Sequence, residues 1–444
     1  MILRSIFSVS CALLFVSNAL GATFPKGFKW CVATAAHQVE GNNSNSDWWA
    51  WEQIPGKIHQ GEKSGAACDH WNRLKQDAQL LKDLNITEYR FSVEWAKIEP
   101  EEGRWNWDAV KHYRKELALL RAQGIQPMIT LQHFTFPIWI SKKGGWKWGG
   151  IAPSFAKYAS FVMAEIAPDA HDWITINEPM VQLVYGYVKG TFPPGITGEF
   201  GNVVEPMIGM LKAHAAAYHA LKGRKTDVRI GVAHHLRVFT PNWWINPLEQ
   251  LAAKSFSEVF NWSFLMALET GKLSANIPFA LKVDQKISGL QGTQDFLGVN
   301  YYSRDMVEIP FPFQISQQRT FVKPGVPTTD MGWEIYPEGF YDLLKEVARR
   351  VPGKAIFITE NGIADRDDSK RIEFIKAHLT ALKKAMDEGV PVEGYCYWSF
   401  MDNFEWADGF EPRFGLYAVD YKTQARTPRP SAGFFSKLAK ENRF

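Results

Sequence analysis

The sequence predicts an α/β protein that folds as a single (β/α)8 barrel, the TIM-barrel architecture, over residues 23–444. Two observations lead to this prediction. Short apolar segments alternate eight times with amphipathic helical segments, and no linker or shift in composition interrupts them. Polar side chains also follow the ends of these apolar segments, where a barrel of this kind carries its reactive groups. A doubly wound open sheet is the alternative, but the segment ATAAHQ at 33–38 is not its glycine-rich phosphate loop.

Each predicted helix has apolar residues at spacings of three and four, and each predicted strand is a short run of mostly apolar or β-branched residues. Asp108 and Ser154 are suited to cap the helices that follow them. In chain order the strands are predicted at 28–38, 88–95, 127–133, 173–176, 228–233, 296–300, 355–359 and 392–398. The helices are predicted at 71–84, 108–120, 154–166, 203–221, 248–268, 338–350, 369–388 and from 431 onward.

Two of the predicted strands end in the same unusual way. The segment WITINEP, residues 173–179, is apolar or β-branched at first and then places Asn177 and Glu178 directly before a proline, which cannot donate a ladder hydrogen bond. The segment AIFITENG, residues 355–362, is also apolar and ends in Glu360 with an asparagine beside it. Since the carboxyl ends of barrel strands meet at one mouth, we predict that both glutamates share one site.

Other predicted strands also end in polar or aromatic side chains that we expect at the same mouth of the barrel. An isolated residue of this kind is usually a solvated loop residue or a packed core residue, and only its place at a strand end singles it out. These residues are Gln38, Arg90, His133, Asn300, Tyr302 and Trp398.

The types of side chain in this set favour hydrolysis of a glycosidic bond. A metal site is not predicted, because the adjacent pair His234 and His235 alternates faces on a strand and has no spaced partners. The Gly-x-Ser-x-Gly elbow of a serine nucleophile is absent. Two glutamates can instead divide the work, one ionised to attack the anomeric carbon and one protonated to release the leaving oxygen. Carboxyl groups about 5 Å apart in a partly dry pocket raise one of the two pKa values. We therefore predict an enzyme without metal or cofactor.

Seven motifs, in order along the chain from about Phe24 to the C-terminus, resemble glycoside hydrolase family 1. The joint presence of TINEP and ITENG carries most of this resemblance. The motifs are ATAAHQVEG (33–41), YRFSVEW (89–95), TLQHF (130–134), TINEP (175–179), GVNYY (298–302), ITENG (358–362) and YWSFMDNFEWADGFEPRFGL (397–416).

The resemblance implies a retaining exo-β-glycosidase that works by double displacement through a covalent glycosyl-enzyme. It favours a β-glucosidase with some β-galactosidase or β-fucosidase activity. It implies that Glu178 is the acid/base and Glu360 the nucleophile. Groups implied to hold and tune the nucleophile are Arg90, Asn300 and Tyr302. Sugar contacts are implied for Gln38, His133, Asn177, Tyr302, Trp398, Glu405 and Trp406.

The chain departs from the family pattern where His133 is followed by Phe134, because the family usually has a tryptophan there. We therefore expect the stacking near the sugar to differ. Three alternative functions remain open. A non-catalytic sugar-binding module would not need two glutamates placed to repel each other. A 6-phospho-β-glycosidase would not place Glu405 where a phosphate binds. A thioglucosidase usually lacks the acid/base glutamate that Glu178 supplies.

The N-terminus predicts export. Arg4 precedes an apolar stretch at 6–16 and then small residues, the layout of a secretory signal, so we assign residues 1–22 to a signal peptide and expect a secreted or periplasmic protein. Cys31 and Cys396 lie on the first and last predicted strands, and we expect them close together as free thiols.

The chain has 444 residues with a formal net charge of only +3, and neither number points to a polyanionic partner. The expected partner is a small β-glycoside or a short β-linked oligosaccharide. We expect neither nucleic acid nor, after signal cleavage, a membrane. Aromatic residues make up 14% of the chain, which suits stacking on sugar faces as well as filling a core. The oligomeric state is not predicted.

Overall fold

The computed structural model describes residues 22–198, 200–277, 281–310 and 319–444. Eight parallel strands close into a barrel in the order β1, β2, β3, β4, β5, β8, β10, β11 and back to β1. Helices surround the barrel, which confirms the predicted fold class. The strands are β1 Lys29–Ala33, β2 Glu88–Ser92, β3 Gln126–Gln132, β4 Asp172–Asn177, β5 Arg229–Pro241, β6 Lys272–Ile277, β7 Leu281–Lys286, β8 Phe296–Glu308, β9 Arg319–Phe321, β10 Ala355–Asn361, β11 Val392–Trp398, β12 Tyr417–Asp420 and β13 Ala425–Pro428.

The long α-helices of the described ranges lie on the outside of the barrel, whereas the short helices Ala36–Val39 and Asp47–Glu52 lie at its mouth. Two of them continue into a π-helical turn, at Val162–Ile166 and Glu258–Trp262. The helices are α1 Ala36–Val39, α2 Asp47–Glu52, α3 Leu74–Asp83, α4 Trp95–Ile98, α5 Trp107–Ala122, α6 Ile138–Lys142, α7 Ile151–Phe161, α8 Pro179–Tyr187, α9 Val204–Arg224, α10 Pro247–Ser257, α11 Ser263–Thr270, α12 Pro337–Arg350, α13 Arg371–Asp387 and α14 Pro430–Glu441.

The strands β5 and β8 run well past the rim of the barrel, whereas the sequence predicts their ends at residues 233 and 300. Their ladder continues from Val238 opposite Arg304 to Pro241 opposite Val307, after a register shift. The polar residues in this part hide the strand signal, because the two strands pair with each other here rather than in a buried barrel wall. The extension raises one side of the barrel mouth.

The first predicted strand is too long. It ends at Ala33, and residues 36–39 form the short helix α1 instead of continuing to Gln38. The apolar run carries no signal for this break, since alanines at 35 and 36 suit a helix as well as a buried strand. Gln38 therefore reaches the barrel mouth from helix α1, which follows the strand.

The expectation of free thiols at Cys31 and Cys396 is wrong. The structure joins the two residues in a disulfide between β1 and β11, and the only free cysteine in the described ranges is the buried Cys68. The two cysteines are direct partners in the parallel ladder, and their Cα atoms are 4.1 Å apart. Sequence reasoning placed them on neighbouring strands but could not give the register that sets them opposite each other.

The proposed signal peptide at 1–22 lies outside the described residues apart from its last position. Within the described ranges, no helix is both long and apolar enough to cross a membrane.

The disulfide gives a prediction for thiol counting. A chain that begins after residue 22 carries Cys31, Cys68 and Cys396. When it is unfolded without reductant, we expect one thiol per chain to react with a chromogenic disulfide reagent, and three after reduction. Three reactive thiols before reduction would show that the barrel closes without the covalent link.

Candidate active site

Two buried glutamates face a cavity of about 330 Å³ at the carboxyl end of the barrel. Glu360 lies on β10. Glu178 directly follows β4, and its backbone adopts the left-handed conformation with φ of 44°. Its N–H donates to the carbonyl of Ala233 on β5, and Pro179 then starts helix α8. The proline suits the first helical position because that position needs no N–H donor, so the NEP sequence turns the chain sharply at the catalytic mouth.

The carboxylate of Glu360 has a donor on each oxygen. Arg90 Nη1 lies 2.5 Å from Oε1, and the Tyr302 hydroxyl donates to Oε2 across 2.7 Å. Arg90 is fully buried, and its Nη2 also donates to Asn177 Oδ1 at 2.7 Å. The two expected contacts of Arg90 and Tyr302 with Glu360 are thus present. Both favour the ionised form of this carboxylate.

Asn300 lies elsewhere than the sequence analysis expects. Its Nδ2 donates to Glu178 Oε1 at 2.8 Å, so this amide supports Glu178 rather than Glu360. The orientation of the amide has a clear cause, because Nδ2 also donates at 3.2 Å to Asn177 Oδ1, an oxygen that already accepts from Arg90. Asn300 Oδ1 then accepts from Thr359 Oγ1 at 2.6 Å. A strand-end position alone does not show which of two neighbouring carboxylates a side chain will reach.

His235 is a site residue that the sequence analysis missed. Its Nδ1 lies 3.0 Å from Glu178 Oε1, and its ring stacks on Tyr302 with the centroids 5.7 Å apart. The adjacent His234 faces outward and contacts Gln294. The alternation of faces along a strand was visible in the sequence and placed one of the two histidines inside the barrel. The described residues form no His, Cys, Asp or Glu cluster that could hold a metal ion.

The two glutamates have different electrostatic surroundings. Burial and the neighbouring carboxylate of Glu178 raise the pKa of Glu360 to about 7, against the opposing effect of Arg90 and Tyr302. Burial also acts to raise the pKa of Glu178, but His235, Asn300 and Arg90 outweigh it and leave that pKa below its ordinary value. Two close carboxylates cannot both be charged at low cost, so the pair holds one proton up to about neutral pH and shares it.

Asn177 fixes the tautomer of His133. Its Oδ1 accepts from Arg90 and Asn300, so its Nδ2 must be the group that lies 3.0 Å from His133 Nε2. Arg90 can only donate, which excludes the flipped amide. Burial and the nearby Arg90 charge lower the pKa of His133 well below its ordinary range, so the ring is neutral. Its proton is then on Nδ1, a buried donor with no partner among the described residues.

Gln38 and Glu405 form a second cluster of polar side chains at the barrel mouth. Gln38 Nε2 donates to Glu405 Oε2 at 3.1 Å and to Asn403 Oδ1 at 2.9 Å, while its Oε1 has no partner within the described ranges. Burial raises the pKa of Glu405 well above its usual value, and Asp408 and Glu360 add to this effect. Open donors and acceptors such as these suit the hydroxyl groups of a sugar.

An aromatic wall lies beside these polar groups. Trp398 and Trp406 both stack on His133, with ring centroids 5.8 and 5.9 Å away. Phe134, the residue that departs from the family pattern, packs edge-on against Trp406 at 5.1 Å. The structure therefore brings together every residue that the sequence analysis assigned to the site, with Asn300 beside the other glutamate.

The outer part of the cavity is mainly apolar. The extended strand β5 contributes Phe239 to it, and α10 contributes Phe256. This apolar outer wall, which is mostly aromatic, suits an apolar or aromatic group of a ligand more than a heavily hydrated one. The residues of this wall are Tyr185, Phe192, Phe200, Phe239, Phe256, Phe260, Met331 and Trp333.

Known proteins share this architecture over almost the whole chain. Solved structures with the same fold include a beta-glycosidase from Pyrococcus horikoshii, at TM-score 0.87 and 38% identity, covering 96% of both chains. They also include a beta-glucosidase from Thermotoga maritima in complex with glucoimidazole, at TM-score 0.89 and 34% identity, covering 95% of this chain and 100% of that one.

Sequence relatives agree with the structures. Beta-glucosidase A of Thermotoga maritima is 35% identical over 94% of this chain and 98% of its own length. A beta-galactosidase from Pyrococcus woesei is 29% identical over 94% of this chain and 97% of its own length. The model of glycosyl hydrolase family 1 matches residues 20–444. The chain therefore belongs to glycosyl hydrolase family 1 and is a glycoside hydrolase.

Proposed function

We propose that this protein is a retaining exo-β-glycosidase that removes terminal β-D-glucosyl residues, with Glu360 as nucleophile and Glu178 as acid/base. The observation that carries this assignment is the unequal support of the two carboxylates. Arg90 and Tyr302 hold both oxygens of Glu360, which stabilises a carboxylate that must attack as an anion. Glu178 has contacts on Oε1 alone in the described structure, so its other oxygen is open to exchange a proton.

In the first step, an oxygen of Glu360 forms a bond to the anomeric carbon while the bond to the leaving oxygen breaks. Glu178 gives its proton to that oxygen, so the leaving group departs as a neutral alcohol. The shared proton of the pair supplies this need, because it can reside on Glu178 while Arg90 compensates the charge on Glu360. The product is a covalent glycosyl-enzyme.

In the second step, water attacks the anomeric carbon and the bond to Glu360 breaks. Glu178, now ionised, takes the proton of the water. Esterification has removed the negative charge of Glu360, so the like-charge effect on Glu178 is gone and its ionised form is favoured. The same side chain thus acts as an acid and then as a base.

The polar side chains at the barrel mouth support the proposal that the enzyme prefers glucose and also accepts its C4 epimer. Gln38 and Glu405 adjoin each other, and Glu405 faces the cavity as both a donor and an acceptor when it is protonated. Such a carboxyl can bond a hydroxyl in either orientation at C4. A relative is named a beta-galactosidase, which agrees with this tolerance. The apolar outer wall supports an aromatic or alkyl aglycone beside short β-linked oligosaccharides.

Export of the protein is part of the proposal. The apolar segment at 6–16 and the small residues after it have the layout of a secretory signal. The disulfide between Cys31 and Cys396 supports this proposal, since such bonds persist in oxidising compartments.

The two glutamates can be separated by their response to the leaving group. Glu178→Ala is expected to form the glycosyl-enzyme from dinitrophenyl β-glucoside almost as fast as the parent, because this leaving group needs no proton. The same change should slow cleavage of cellobiose by about 10²–10⁴. Stopped-flow traces of Glu178→Ala with the activated substrate should show a burst of dinitrophenol and then a slow phase.

Two controls accompany this experiment. Azide attacks without a general base, so it should restore turnover of the activated substrate in Glu178→Ala. Glu360→Ala should lose activity on both substrates, since no leaving group replaces a missing nucleophile. Equal losses on both substrates in Glu178→Ala, without a burst, would contradict the acid/base role and leave Glu178 as a sugar-binding residue.

The shared proton predicts the alkaline limit of activity. Because the raised pKa of Glu360 keeps one proton on the pair up to about pH 7, kcat/KM for cellobiose should fall tenfold per pH unit above that value. The leaving group of the dinitrophenyl glucoside needs no proton, so kcat/KM for this substrate should show no such alkaline fall, or limb, between about pH 7 and about pH 9. A limb of equal steepness for both substrates would mean that another group titrates.

A further inference from the structure

His235 is placed to act on Glu178, and the two-step scheme above gives it no role. The residue lies on β5 and is 8% exposed. Its ring packs between Tyr302, stacked at 5.7 Å, and Phe260, edge-on at 5.8 Å. Nδ1 lies 3.0 Å from Glu178 Oε1, and Nε2 has no partner among the described residues. These contacts fix the ring plane and aim one nitrogen at the carboxyl group.

The donors around Glu178 leave its two oxygens unequal. Asn300 Nδ2 and His235 Nδ1 both reach Oε1, at 2.8 and 3.0 Å. No protein group in the described ranges bonds Oε2. Asn300 cannot offer its oxygen instead, because the same edge of its amide faces Asn177 Oδ1, an oxygen that accepts from Arg90 and from Asn300 Nδ2. The two contacts therefore hold the carboxyl by one oxygen and leave the other free for proton transfer.

We propose that His235 is a positioning residue for the second step, in which its Nδ1–H donates to Oε1 of Glu178 and holds the ionised carboxylate with Oε2 open to the attacking water. In that step the water oxygen bonds to the anomeric carbon, and the water proton passes to Oε2. The electron pair of the broken ester bond returns to Glu360. The inference rests on the proposed function.

The electrostatic surroundings agree with this role. The charged and titratable groups that face His235 are Glu178 after β4, Tyr302 on β8 and Glu360 on β10, with Arg237 on its own strand. A hydrogen bond to a carboxylate favours the ionised form. His235 is accordingly one of the groups that lower the pKa of Glu178 in the structure, against the effect of burial. A base for water must be ionised, so this contact helps the second step.

The test measures hydrolysis of dinitrophenyl β-glucoside by His235→Phe. This variant keeps a ring beside Tyr302 but cannot donate a hydrogen bond to Glu178. With this substrate the second step limits kcat, whereas kcat/KM reports only the first step, which needs no proton. We expect kcat and KM both to fall about tenfold in His235→Phe, the effect of losing one hydrogen bond to a charged group. The ratio kcat/KM should stay within about twofold of the parent, and the slow phase that follows the burst of dinitrophenol should be about tenfold slower than in the parent.

His235→Asn is the conservative variant, because an asparagine side chain can donate one hydrogen bond without carrying charge. It should restore most of kcat. A second readout is the alkaline limb of kcat/KM for cellobiose, which should move up by about one pH unit in His235→Phe, since the lost donor no longer favours ionised Glu178. A residue that only fills space would shift neither the limb nor the ratio of kcat to KM.

His234→Asn is the matched control, since His234 is the neighbouring buried histidine and contacts Gln294 outside the site. It should show the parent's burst amplitude and pH profile. The inference is overturned if kcat/KM falls as far as kcat in His235→Phe, or if His234→Asn reproduces its behaviour. If His235→Phe does not fold, the same comparison is made with His235→Leu, which also lacks a donor, and an unshifted limb in that variant overturns the inference. A parent enzyme that fails to hydrolyse either substrate would instead overturn the proposed function.

Discussion

The ion pair between Arg90 and Glu360 is the interaction on which the rest of the site depends. Arg90 is fully buried on β2, and it reaches across the barrel interior to Glu360 on β10 and Asn177 on β4. A buried charge without a partner costs several kcal/mol, about 3–5 when one member of such a pair is removed. The barrel must therefore close in the register that brings these three side chains together.

The fixed direction of the guanidinium donors orders the neighbouring groups one after another. Because Arg90 only donates, Asn177 must present its oxygen to Arg90 and its Nδ2 to His133. His133 then carries its proton on the nitrogen that is free to meet a ligand. Asn300 shares the Asn177 oxygen and reaches Glu178 with the same amide. A single charged group thus determines which atoms donate and which atoms accept hydrogen bonds among the side chains around both carboxylates.

The sequence was sufficient for the barrel and for the pairing of Glu178 with Glu360, because apolar strands that end in polar residues mark the barrel mouth. It could not assign Asn300, whose contact depends on an amide orientation that the oxygen of Asn177 sets. It also missed His235, since the alternation along β5 shows that one of the two histidines faces inward, and only their contacts with Glu178 and Gln294 show which one. The disulfide likewise depends on a register between the first and last strands that local sequence patterns do not contain.

The central claim is that Glu360, held by Arg90 and Tyr302, forms the covalent bond to the sugar. The most direct measurement is mass spectrometry of the protein after reaction with a dinitrophenyl 2-deoxy-2-fluoro-β-glucoside, a sugar that slows the second step more than the first. We expect one fluoroglucosyl group per chain, on the peptide that contains Glu360. A label on Glu178, or turnover without any label and with inversion at the anomeric carbon, would contradict this claim.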